Sequence, residues 1–367
     1  MSYKDRKNMY SEITKLRNRP LICYVTSIRP NLSCNMAGDA IPSIIEQIES
    51  IPEEEKEIDF LIISNGGDPI TSLRIISLLR ERFDRIGVLL PYVAYSAATI
   101  LSLGADEIVM HRYSNLGPID PQLTVSHNNE YGIRENLQFS SEDLRNYVDF
   151  IRSDVGITDQ QYIVSAIAPL LKEVGALSIG NAKRSQQLSI LLSEKMLGGH
   201  FTDNAKVKSI ARTLNSSYYH HGYAVGRKEA ADMGLPITFP SRELEKLLWS
   251  VWKDFDAEMK CEKPFEVIRE LMDDPKADSI ISQASIVDFP VNTPTDIAQK
   301  IWDQYIQNIP VTTRTAIKQR VLLASIEGSS FAKAVYNDIE IMAWRNPNIS
   351  LEFNCNTAAS GWINYED

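Results

Sequence analysis

Apolar and polar positions follow two rhythms along this chain. Residues 21–27 (LICYVTS) form a β-branched, apolar run, the pattern of a strand buried on both faces. Over 38–50, Ile41, Ile44, Ile45 and Ile48 fall at helical spacing. A second apolar run, Asp59 to Ser64, ends in Asn65-Gly66-Gly67-Asp68-Pro69. Residues 70–84 then predict an amphipathic helix, with Leu73, Ile75, Ile76 and Leu79 set against Arg74, Arg80 and Arg82. Gly87 to Val93 reads as a strand, Ala97 to Gly104 as a helix, and Glu107 to Met110 as a strand. Strands and helices alternating at this pace predict parallel pairing with right-handed crossovers.

From about residue 130 to 215 the rhythm turns helical. Segments 140–153, 159–174 and 182–197 carry the 3.6 period, the first opening on a capped start at Ser140-Ser141-Glu142-Asp143. Residues 226–235 predict a short helix closed by Gly234, followed by a strand-like PITFP. Beyond about 240 the composition shifts. LEKLLWSVWKDFD predicts an amphipathic helix, 261–295 is acidic and contains proline, 315–328 reads as mixed, and Ile339 to Trp362 holds aromatic-rich pieces. The expected division is a first domain over 1–240, with a helical arm or insertion about 130–215, and a smaller C-terminal α+β accessory region over 241–367.

Composition narrows the function. With 38 Lys+Arg against 48 Asp+Glu the net charge is −10, so no cationic excess exists to neutralise phosphates, and a nucleic-acid partner is not expected. Hydrophobic residues at 44% exclude wholesale disorder. Cys23, Cys34, Cys261 and Cys355 lie far apart, without Cys-x-x-Cys or a neighbouring His. That excludes a conventional zinc module and a disulfide framework, and predicts a reducing, cytoplasmic setting. Acidic runs such as Glu53-Glu54-Glu55 lack metal-site spacing, and neither metal nor cofactor is expected. The opening Met1-Ser-Tyr-Lys-Asp-Arg-Lys carries no secretory pattern. Ile86 to Ala105 is uncharged and long enough for a membrane span, but Pro91, Ser96, Thr99 and Ser102 interrupt it. The expectation is a buried strand, a tight turn and a buried helix, with no membrane association indicated.

Two turns at the carboxyl ends of expected parallel strands could carry chemistry, since open α/β sheets place their ligands there. In Ser64-Asn65-Gly66-Gly67-Asp68, paired glycines permit positive φ and let peptide N–H groups approach a ligand. In Tyr95-Ser96-Ala97-Ala98, a serine between small residues at a helix start presents its hydroxyl beside backbone N–H groups and a favourable dipole. The logic is that of a nucleophile elbow, without Gly-x-Ser-x-Gly. Each turn alone also fits a plain strand-to-helix connection or a helix cap.

Taken in order, the Gly-Gly turn, amphipathic helix, strand, small-Ser-small turn, Gly104-Ala105-Asp106-Glu107-Ile108-Val109-Met110 and Leu116-Gly117-Pro118-Ile119-Asp120-Pro121-Gln122 resemble the Clp-protease/crotonase superfamily. Within it they resemble the signal peptide peptidase A-like branch, and there the serine dehydrogenase proteinase family. The likeness is strong over about 20–125 and continues through Gly226 to Leu235; Gly361-Trp362 is similar to a C-terminal family element. The resemblance implies a repeated ββα core with a helical arm. It implies Ser96 as nucleophile, the N–H groups of Gly67 and Ala97 as oxyanion hole, and Gly66, Leu116, Gly117 and Pro118 beside an extended substrate. It further implies a homo-oligomer whose arms build the contacts, acting on peptide or unfolded protein.

The general base is open. The position of a Clp-type histidine aligns with Pro118, while His111 comes too early and His127 stands in a polar stretch. Signal peptide peptidase A-like enzymes use lysine, and Lys172 is the first lysine after Ser96. Its context, Leu171-Lys172-Glu173-Val174-Gly175, is similar to the family's Lys-Asp-Ile-Gly. A lysine base must shed a proton it ordinarily holds to pH ~10, which takes desolvation. Lys183 and His221 are the further candidates. Two rivals stand beside the peptidase: a catalytically inactive scaffold of the same fold, and an acyl-CoA enzyme, whose glycine-rich second turn and catalytic Glu are not visible.

Overall fold

The computed structural model describes residues 3–128, 133–216, 218, 220, 222–281, 292–308, 314–345 and 350–365. The chain opens with α1 (Tyr3–Arg17), β1 (Leu21–Thr26), α2 (Ile41–Glu49), β2 (Glu57–Ile63), α3 (Pro69–Arg82) and β3 (Arg85–Leu90). Next come β4 (Val93–Ala94), α4 (Ala97–Leu103), β5 (Glu107–Met110) and β6 (Asn115–Leu116). The arm follows: a hairpin of β7 (Gln122–Asn128) and β8 (Arg134–Ser140), α5 (Ser141–Asp149), a π turn at Phe150–Asp154, α6 (Gln160–Val174), α7 (Ala176–Gly198) and α8 (Asn204–Ser216). The chain closes with β9 (Val225–Gly226), α9 (Arg227–Asp232), β10 (Ile237–Thr238), α10 (Arg242–Met259), α11 (Val267–Asp273), α12 (Pro275–Ile281), α13 (Thr295–Asn308), β11 (Thr315–Glu327), β12 (Ala332–Arg345) and β13 (Leu351–Asn364).

The main sheet runs β10-β5-β3-β2-β1-β11-β12-β13. Its first five strands are parallel, as the βα alternation requires, and β11 to β13 add on antiparallel. The inner strands are buried on both faces, which is why they read as unbroken apolar runs. Ile22, Tyr24, Phe60, Ile62, Val88 and Ile108 face α2, α3, α4, α7 and α8. The alternate positions, Leu21, Cys23, Val25, Leu61, Leu89 and Val109, face α1 and α10. Residues on both sides of 240 therefore share one sheet and one core: Cys23 pairs with Glu327 across β1 and β11, and Leu248 and Phe255 of α10 pack against Tyr10 and Ile13 of α1. A buried ionic knot joins the same ends. Arg6, fully buried, pairs with Glu327 at 2.7 Å and Asp254 at 2.6 Å, and lies over the Phe255 ring.

Several expectations meet the coordinates directly. The capped start at 140 is a full capping box between Ser140 and Asp143. Ile86 to Ala105 forms β3, β4 and α4, with α4 entirely buried. Among the described residues no single helix is long and apolar enough to cross a membrane; α6 and α7 qualify only jointly, across a 90° bend. Two readings differ. The arm begins with a β-hairpin, and 315–328, read as mixed, is one long strand. The reason is visible in β11: its first half leaves Lys318 and Arg320 in water while its second half is buried, so no single periodicity runs through it.

Candidate active site

The parallel strands deliver two turns to one point. β2 ends at Ile63, and Ser64 bridges to Ala94: Ser64 N–H donates to Val93 O at 3.1 Å and Tyr95 N–H to Ser64 O at 3.0 Å. This bridge lays Asn65 to Gly67 alongside Tyr95 to Ala97. Gly66, at φ +101°, packs so closely that a Cβ there would stand 2.8 Å from Ser96 Cβ and 2.9 Å from Ala97 N. Gly67, at φ +146°, is clamped from the other side by Met36: a Cβ would meet Met36 O at 2.3 Å. Met36 N–H donates to Gly66 O at 2.7 Å, and Asp68 N–H to Met36 O at 2.8 Å. The glycines are thus dictated by sterics on both flanks. Asp68 caps α3, accepting from Ile70 N–H, with Pro69 preset at the first helical position.

Ser96 sits at φ +50°, ψ −116°, a conformation that a non-glycine residue adopts at a cost of order 1–3 kcal/mol. It immediately precedes α4, and its hydroxyl caps nothing there. Among the described residues the N–H groups of Gly67 and Ala97 donate to no acceptor, leaving two backbone donors beside one half-buried hydroxyl. Supporting hydrogen bonds hold the turn rigid. Ser72 Oγ donates to Ala97 O at 2.6 Å, Thr26 Oγ1 to Ser64 Oγ at 2.7 Å, and Gly66 N–H to Ser64 Oγ at 3.0 Å.

Leu116, Gly117 and Pro118 form the buried neighbouring wall. β6 lies between β4 and β9, so Leu116 is paired with Ala94 on one side and Val225 on the other. Gly117 N–H donates to Ala94 O at 3.0 Å and to Thr99 Oγ1 at 3.2 Å, while Thr99 donates back to Gly117 O at 2.9 Å. The backbone of Leu116 and Gly117 is therefore spent inside the protein, shaping the rim. The Tyr95 ring lies across Gly117, where a Cβ would be 2.4 Å from it, and burial raises the Tyr95 phenol above its ordinary pKa.

The candidate bases are dispersed. Lys172 stands on the exposed side of α6, which packs on β7, α7 and the π turn. Lys183 is exposed on α7, with Nζ 3.4 Å from Gln186 Oε1. His111, buried at the end of β5, stacks on Trp249 at 5.0 Å and accepts from Tyr113 N–H at 3.2 Å. Burial there holds the imidazole below its ordinary pKa, with Glu245 opposing. His127 lies in β7 opposite Glu135, its side chain outside the described residues, and His221 lies outside them altogether. Among the described residues no group of three or more His, Cys, Asp or Glu is disposed to hold a metal. The parts that sequence reasoning missed are Met36, Ser72 and Thr99. Met36 acts through its backbone and leaves no side-chain signal, whereas Ser72 and Thr99 are, with Thr71 and Ser102, buried hydroxyls among the apolar residues of α3 and α4.

Residues 36–279, from the Met36 clamp into α12, match the family described as ClpP-like SDH-type serine proteinase. The chain belongs to that family. Its Gly-Gly turn, Ser96 and arm all fall within the matched range. Two uncharacterized proteins of Methanocaldococcus jannaschii are similar: MJ1495, 25% identical over 206 residues (56% of this chain, 60% of the relative), and MJ0137, 25% identical over 194 residues (53% and 57%). The chain thus spans about three fifths of the length of these curated relatives. A solved mutant of the 1510-N membrane-bound stomatin-specific protease aligns at TM-score 0.38 and 12% identity, covering 62% of this chain and 84% of that one.

Proposed function

We propose that this ClpP-like protein is a serine peptidase that cleaves extended peptide or unfolded protein chains through an acyl-enzyme on Ser96. The observation carrying this reading is Ser96, held in a strained backbone conformation against the Gly-Gly turn, with the Gly67 and Ala97 N–H groups unengaged. Ser96 Oγ attacks the scissile carbonyl as its proton passes to a base. The Gly67 and Ala97 N–H groups hold the resulting oxyanion, collapse expels the protonated amine, and water releases the acyl group. Each such donor is worth about 2.7–4 kcal/mol to the transition state. Gly66 lets the substrate approach, and the Leu116–Pro118 wall bounds its path.

Lys172 is the proposed base. In the isolated chain it faces water, so the dyad closes through the arm: α6 brings the lysine to Ser96, and loss of water around the ammonium makes it a base. A second reading, an inactive scaffold, is favoured by the absence of any Lys or His nitrogen hydrogen-bonded to Ser96 among the described residues. Labelling with a fluorophosphonate separates them. Covalent labelling of the wild type, lost in Ser96→Ala and strongly slowed in Lys172→Ala, is the expected result. An unlabelled wild type supports the scaffold, and labelling that survives Ser96→Ala ends the peptidase reading. Full-rate labelling of Lys172→Ala removes the lysine from the mechanism.

A further inference from the structure

The far end of the chain reaches back to the segment that shapes the Gly-Gly turn. In β13 two residues, Ser360 and Gly361, stand opposite one residue of β12, Tyr336: Trp362 pairs with Val335, but Ala359 pairs with Asn337. Gly361, at φ +73°, absorbs the extra residue, and Ser360 Oγ accepts from Tyr336 N–H at 3.0 Å. Such a bulge re-aims the side chains around it. Trp362, directly after it, packs against the core between the sheet and α2. Its ring lies 6.1 Å from that of Tyr24, which is 1% exposed, and its Nε1–H donates to Asp39 Oδ2 at 3.1 Å.

Both contacts land beside the Met36 clamp. Asp39 belongs to the short helical turn Gly38–Ala40, which follows Met36 almost at once. The Tyr24 hydroxyl faces the same segment: burial raises the phenol above its ordinary pKa, Cys34 and Asp39 add to the shift, and the Ala37 N–H opposes it. Between β1 and α2 the chain forms neither helix nor strand beyond that turn and the Met36–Gly67 bridge, so contacts from elsewhere set its course. Met36 carries both hydrogen bonds of the clamp, its N–H to Gly66 O and its O from Asp68 N–H. We infer that Trp362 is a positioning residue for the Gly67 oxyanion donor: through Asp39 and Tyr24 it latches the 36–40 segment, and so holds the Met36 clamp on the Gly-Gly turn. The catalytic consequence rests on the peptidase reading of Ser96; the latch itself does not.

Amide hydrogen exchange at Met36 and Asp68, whose protons make the two clamp bonds, tests this on the full chain beside peptide turnover. Trp362→Phe keeps a ring against Tyr24 and removes the donor. Should that variant fold poorly, Asp39→Ala removes the acceptor from an exposed position, while Asp39→Asn keeps an acceptor oxygen. Trp362→Phe and Asp39→Ala should each speed exchange at both amides by about fivefold, the worth of one hydrogen bond, and lower kcat by a similar factor at unchanged KM. The double variant should lose no more than either single one, and Asp39→Asn should match the wild type. Exchange unchanged at both amides, or speeded equally throughout the chain, would overturn the latch. A kcat left unchanged, with or without a rise in KM, would overturn the positioning role. Exchange raised only at the clamp, in a protein that neither labels at Ser96 nor turns over peptide, would uphold the latch and remove the peptidase reading instead.

Discussion

Around Ser96, the residues Ala94, Ala97, Ala98 and Leu116 are fully buried, whereas along α6 and α7 Tyr162, Val164 and Leu177 keep 65%, 66% and 87% of their surface in water. The first region sits in the large core between the sheet and α2, α3, α4, α7 and α8. The second holds its own small cluster of Phe139, Val174 and Ala182. Dense packing lets the turn keep a strained serine and two glycines with no room for a methyl group, because the surroundings over-determine the backbone. α6 and the start of α7 bury little and leave Tyr162, Val164 and Leu177 exposed, whereas the end of α7 and α8 join the main core through Leu192, Met196, Val207 and Leu214. The backbone half of the proposed chemistry is thus preformed, while the proton acceptor is carried on the part that is not.

The largest effect should come from crowding the turn. Gly67→Ala drives a methyl into the Met36 backbone and should cut peptide turnover by about 10²–10³ fold while lowering the melting temperature. Gly226→Ala, where an added Cβ meets nothing, is the control. Equal behaviour of the two would dissolve the contrast between a rigid turn and the rest. Next, placing charge on the arm should leave folding nearly unchanged but break assembly. Leu177→Glu with Val164→Glu should alter unfolding free energy by no more than about 0.5 kcal/mol each, yet reduce the mass seen by light scattering. An unaltered mass would show that the arm's apolar face is not a contact between copies. The smallest effect isolates the strain itself. Ser96→Gly should be more stable to urea than Ser96→Ala by about 1 kcal/mol, since glycine accepts φ +50° freely; equal stabilities would mean the turn stores none.

Much of this was legible in the chain. Ile41 to Ile48 marked α2, Leu73 to Leu79 marked α3, and the apolar runs marked β1, β2, β3 and β5, because one or two buried faces impose a period that survives in a single sequence. The opening helix was not anticipated: its buried face, Tyr3, Arg6, Tyr10 and Ile13, includes a charged residue, so no run of apolar positions marks it. The antiparallel extension was harder to read. β13 carries Asn354, Asn356 and Thr357, polar residues that occupy a strand because β12 pairs with them.

What the sequence determined by itself was local: the order of strands and helices, the glycine pair, and a small-residue turn offering one serine at a helix start. These follow from side-chain volume and periodicity within a few residues. Only the tertiary structure decided that Met36 clamps Gly67, that Ser96 is held at positive φ against Gly66, that β11, β12 and β13 continue the sheet of β1, and that Lys172 faces water on the arm. Each of those depends on contacts between segments distant in the chain, whose energy resides in no local pattern.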